Sequence, residues 1–84
     1  MKLYVVLDSW NTHFGGGTNI EVFTDKDKAQ VYILKQLEQV IKDWGFDREK
    51  ESDEHYIVIQ DGVATILDDC DVENWVVFEK EIEV

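Results

Sequence analysis

Only one run in this chain, Thr24 to Gly45 (TDKDKAQVYILKQLEQVIKDWG), carries the periodicity of a long helix, and the segments on either side alternate like strands. Ala29, Ile33, Leu34, Leu37, Val40, Ile41 and Trp44 fall within an arc of roughly 140° at about 100° per residue, the width of one core-facing stripe. Gln30 interrupts that arc near its start. Thr24 followed by Asp27 approximates a capping box, so the helix is expected over about 25–44. Gly45 supplies the left-handed residue that commonly ends a helix. Tyr32, Leu37 and Trp44 read as packing residues. One helix is too little to cover both faces of a sheet, and that shortage governs what the remaining segments can do.

Lys2 to Trp10 reads as a central strand, with Leu3, Val5 and Leu7 on one face and Tyr4, Val6, Asp8 and Trp10 on the other. Asn11 to Gly17 (NTHFGGG) reads as a turn, and Thr18 to Phe23 as the second strand of a hairpin. The glycine triplet is not a phosphate loop, because no Lys-Ser/Thr follows and it joins two strands. Phe46 to Glu54 reads as an exposed, charged connection. His55 to Gln60 and Val63 to Leu67 form strands around Asp61-Gly62, expected as a type I′ turn. Asp68 to Asn74 reads as an acidic loop, and Trp75 to Glu83 as the last strand. The order ββαβββ predicts a single α+β domain over residues 1–84, a mainly antiparallel sheet with the helix on one face.

The formal net charge is −11. Residues 1–42 hold five acids and five bases, whereas residues 43–84 hold fourteen acids against Arg48, Lys50 and Lys80. This asymmetry argues against direct binding of nucleic acid, which needs basic groups at the phosphates, and allows attraction to a basic protein. Cys70 is the single cysteine, which points to a reducing compartment. No secretory leader or membrane-spanning stretch is read, so a soluble, cytoplasmic protein is expected.

Catalytic chemistry finds no motif. Ser9, Ser52, Cys70, His13 and His55 stand in no recognisable nucleophile–base arrangement. The run from Asp68 to Glu73 lacks the ligand alternation and glycine of a calcium loop. No enzyme activity, cofactor or metal is therefore expected.

A binding surface is the stronger expectation. With Leu3, Val5, Leu7, Ile57 and Ile59 against the helix, alternation turns Tyr4, Val6, Trp10, Tyr56 and Val58 away, joined by either Trp75 and Val77 or Val76 and Phe78. The expected partner-binding set is Tyr4, Trp10, Tyr56 and Trp75 as anchors, rimmed by Asp68, Asp69, Asp71, Glu73, Glu79, Glu81 and Glu83. His13 and Phe14 at the hairpin tip can also reach a partner. Glu79, Glu81 and Glu83 would repeat at roughly 6.7 Å along one strand face. That is the scale of phosphate spacing in nucleic acid, about 3.4 Å per strand. Charge protection of an edge strand explains the same acids.

MKLYVV, the aromatic and glycine hairpin, VFTDKDKA and WVVFEKEIEV together resemble a group of small acidic uncharacterised proteins of Gram-positive bacteria, their phages and mobile elements. In size and charge the chain is similar to anti-CRISPR proteins and to DNA-mimic inhibitors such as those of uracil-DNA glycosylase. The resemblance implies a non-enzymatic inhibitor that binds a basic nucleic-acid-binding protein. The alternative reading of the residues is a structural or regulatory homodimer closed through the helix-free sheet face.

Overall fold

The computed structural model describes residues 1–83 and carries the expected ββαβββ order. The elements are β1 (Lys2–Thr12), β2 (Gly15–Phe23), α1 (Lys26–Trp44), a 3₁₀ turn (Arg48–Lys50), β3 (His55–Gln60), β4 (Val63–Asp68) and β5 (Asp71–Glu81). All five strands pair antiparallel in the order β2-β1-β5-β4-β3. Two hairpins are thus joined through the central β1–β5 ladder, and α1 lies on one side.

The helix begins one residue later than the sequence pattern suggests. Asp25, not Thr24, is the N-cap, and its carboxylate accepts the Asp27 N–H at 2.8 Å. At the other end Gly45 sits at φ 64°, and the N–H groups of Gly45 and Phe46 close back onto Lys42 and Ile41. This is the left-handed stop that a residue without Cβ adopts most cheaply.

Ala29, Ile33 and Leu37 are buried on α1 and meet Val6, Ala64, Ile66 and Trp75 of the sheet, with Phe46 closing the end of the core. The side of β1 that meets the helix is the reverse of the expected one. Val6 and Asp8 are buried beneath the helix, so Leu3, Val5 and Leu7 lie on the uncovered face. The cause lies in β5. Trp75 is the largest side chain fully buried, and an indole gains most from the covered side. Register sets Trp75 opposite Asp8 and Val77 opposite Val6, so the even-numbered residues of β1 share its side. In β3 the expected side holds, since Ile57 pairs with buried Ile66 and packs on the core.

Three further expectations are corrected. The acidic segment Asp68–Asn74 is mostly strand: β4 runs to Asp68, β5 starts at Asp71, and the turn is only Asp69-Cys70. Asp69 takes a left-handed φ of 58°, which Asp tolerates better than most residues. The glycine triplet belongs to β2, paired opposite Trp10, Asn11 and Thr12, which leaves His13-Phe14 as the turn. A Cβ on Gly17 would come within 2.6 Å of Trp10 Cζ2, so the indole lies where a side chain would otherwise stand. The Asp61-Gly62 turn is left-handed at Gly62 alone, not at both residues as a type I′ turn requires.

The connection after α1 is anchored. Phe46 is buried and stacks on His55 with ring centroids 3.9 Å apart. His55 Nε2 lies 2.7 Å from the Asp47 carbonyl, and Nδ1 lies 3.0 Å from Asp68 Oδ1. With acceptors at both ring nitrogens, the Asp47 carbonyl first and Asp68 second, the imidazolium is favoured and the pKa of His55 is raised.

The cap offers a direct test of this local account. Asp25→Ala removes the acceptor for the first-turn N–H and should cost about 1 kcal/mol. A lower urea midpoint at unchanged m-value is the expected result.

Candidate functional site

The two faces of the sheet are chemically opposite. Register and alternation place Leu3, Val5 and Leu7 with Ile20 and Val22 of β2 and Val76 and Phe78 of β5 on the side away from the helix. Val63, Leu67, Tyr56 and Val58 continue that surface across β4 and β3. Ile20, Val22, Phe78 and Val58 are 60, 53, 51 and 37% exposed. At its centre the Thr65 hydroxyl donates to Asn74 Oδ1 at 2.7 Å, a polar pair that satisfies itself. Among the described strand residues Lys80 is the one charged side chain on this face.

The strand acids all lie on the helix side: Asp8, Glu21, Asp68, Asp71, Glu73, Glu79 and Glu81. Several are engaged. Glu79 Oε1 lies 3.4 Å from Lys2 Nζ and accepts the Tyr4 hydroxyl, while Glu81 Oε1 lies 3.2 Å from the N-terminal amine. Asp71 Oδ1 takes the His13 backbone N–H and lies 2.9 Å from His13 Nδ1, interactions that lower its pKa. Asp61 holds Lys26 Nζ at 3.1 Å and raises that amine's pKa.

The expected partner-binding residues therefore do not form one surface. Tyr4, Trp10 and the acids sit on the helix side, Tyr56 sits on the bare face, and Trp75 is wholly enclosed in the core. Asp69 is at the β4–β5 turn, and Glu83 is an exposed residue beyond β5. Nor is β5 an edge strand shielded by charge: it is central, and the edges are β2 and β3. The aliphatic residues of the bare face and Asp8 are absent from the expected set. Asp8 had a legible signal, a lone carboxylate inside an apolar strand.

Asp8 opens the second region of interest. Beside the C-terminal half of α1 lies an open cavity of about 540 Å³, with Asp8 and Glu73 in its lining between Trp10 and Trp44. Asp8 is only 5% exposed, and its Oδ1 receives no hydrogen bond from the rest of the protein. Glu73 is the diagonal neighbour of Asp8 across the β1–β5 ladder, since Asp8 pairs with Trp75 and Trp10 with Glu73. Burial, the hydrogen bond to Asp8 and the charge of Asp8 push the Glu73 carboxyl up to about 8. Tyr32 is raised as well, first by burial and then by Glu21 and Asp8.

No protein family, characterised protein or solved structure matches this chain. Among the described residues no three His, Cys, Asp or Glu side chains are grouped to hold a metal ion, and no helix is long and apolar enough to cross a membrane.

The Glu73 shift has a signed consequence for stability. Below the ordinary value of 4.5 the carboxyl is protonated in both folded and unfolded chains. Between there and about 8 the folded chain keeps a proton that the unfolded chain releases, so stability falls as pH rises. Glu73→Gln should therefore gain little in melting temperature near pH 4.5 and gain most near pH 8. An equal gain at both values would mean that the two carboxyls do not share a proton.

Proposed function

We propose that this chain is a non-enzymatic association protein and that its helix-free sheet face is covered by a second copy of itself. The observation that supports the reading is the choice of buried side. The uniformly aliphatic row of β1, Leu3, Val5 and Leu7, is left without a cover, while the row containing Asp8 goes beneath the helix. A contiguous apolar plane on a small chain is costly in water and gains by association.

Charge favours a second copy over a basic protein as the occupant of this plane. The face carries no strand acid, so nothing on it selects a positive surface. Stacking two such faces buries them about 10 Å apart and turns both helix layers outward. Five strands about 4.8 Å apart and some six residues long span roughly 24 by 20 Å, or about 480 Å² in projection. Corrugated by side chains, that footprint is of the order of the roughly 800 Å² per partner of a standard interface.

A second reading concerns the opposite surface. The segregation of the strand acids to the helix side supports engagement of a basic protein there, by the dimer or by the single chain. The finer form suggested by composition and resemblance, inhibition of a nucleic-acid enzyme, rests on that surface. The pairing of Glu79 and Glu81 with Lys2 and the N-terminus leaves fewer free acids for it than a simple count implies.

The primary reading predicts a two-chain mass in sedimentation equilibrium at about 50 µM, a concentration that detects micromolar self-association. Phe78→Glu should give a one-chain mass with unchanged helical circular dichroism. The wild-type association should persist in high salt, because apolar burial is not screened. A wild-type chain that sediments as one copy would overturn the reading.

A further inference from the structure

We propose that the cavity beside α1 is a binding site for a guanidinium group, held against Asp8 and Glu73 between the indoles of Trp10 and Trp44. The site is on the helix side of the sheet, opposite the face assigned above to a second copy, and does not depend on that assignment.

Four observations converge. First, Asp8 is nine-tenths buried and in the cavity lining, yet its Oδ1 lacks a donor within the chain. A buried carboxylate oxygen without a partner is costly, and a ligand that donates to it recovers that cost. Second, the ionisable lining residues are Asp8, Asp43 and Glu73, with no Lys, Arg or His among them. The site therefore asks for a cation. Third, Trp10 and Trp44 both line it, and indole faces attract planar cations. Gly17 keeps the Trp10 ring in place by offering no Cβ to displace it. Fourth, its volume of about 540 Å³ lies within the range for small-ligand sites, roughly 300–1,000 Å³.

The shape of the acidic pair favours guanidinium over ammonium. Two carboxyls on diagonal neighbours offer acceptors side by side, which a planar fork of N–H donors matches and a compact ammonium does not. Guanidinium is also the more weakly hydrated of the two, so it loses less on leaving water. The group can arrive on a free alkylguanidine or on an arginine side chain of another protein.

The test is titration of n-butylguanidinium into the full-length chain, followed by proton–nitrogen NMR. The indole N–H signals of Trp10 and Trp44 should shift together, with that of enclosed Trp75 much less affected. A dissociation constant of about 1 mM or tighter is expected. The neutral isostere n-butylurea should bind at least tenfold more weakly, as should n-butylguanidinium to Asp8→Asn. Should Asp8→Asn fail to fold, Glu73→Gln serves the same purpose, and Trp44→Leu should weaken binding independently. Absence of indole shifts, equal binding of n-butylurea, or unchanged affinity in a folded Asp8→Asn chain would each overturn the proposal. A capped Gly-Arg-Gly peptide distinguishes the sources: tighter binding than n-butylguanidinium assigns the site to a protein arginine, and weaker binding assigns it to a free alkylguanidine.

Discussion

A helix of nineteen residues is about 28 Å long and about 10 Å across, and it lies on a sheet roughly 24 Å wide. It shelters one face along a band and leaves the other untouched. Because side chains alternate along each strand, every residue given to the core sends its neighbours to the uncovered side. The contrast between a core built on Val6, Ile66 and Trp75 and a bare plane built on Val5, Leu7, Val76 and Phe78 follows from that constraint. In a single small domain with one helix, composition alone decides whether the second plane is wetted by polar groups or left apolar. Here it is left apolar.

The order of elements was legible because the helix has a clean stripe, a definite stop at Gly45 and flanks that alternate. The bare second face was legible from the same shortage of helix. Which side of β1 would be bare was not, because Leu3, Val5 and Leu7 look a better core than Tyr4, Val6, Asp8 and Trp10 when the strand is considered alone. The decision is made forty or more positions away in sequence, by Trp75, and reaches β1 only through the ladder register. Long-range pairing of this kind leaves no local trace.

The acidic residues misled for a related reason. Asp68, Asp69, Asp71 and Glu73 form a dense polar run and were assigned to a loop, yet pairing with β4 and β1 carries Asp71 and Glu73 into the sheet. Once there, His13 partners Asp71, while Glu73 shares its region with Asp8. The anchors Tyr4, Trp10 and Trp75 were expected on the bare face and lie on the other side, so the set recognised from residue type was sound in chemistry and wrong in place. The cavity beside α1 needed the fold to become visible, since its lining comes from two strands on one side and the end of the helix on the other.

The sorting of charge across the sheet gives the molecule a lasting polarity. Two copies approaching at random repel most strongly when their helix layers point at each other and least when those layers are turned away. Mutual repulsion thus acts as a guide, rotating each copy until the uncharged planes meet, and a positive surface approaching from afar would be turned toward the helix instead. Excess negative charge, ordinarily an obstacle to self-association, here selects the orientation in which association can occur.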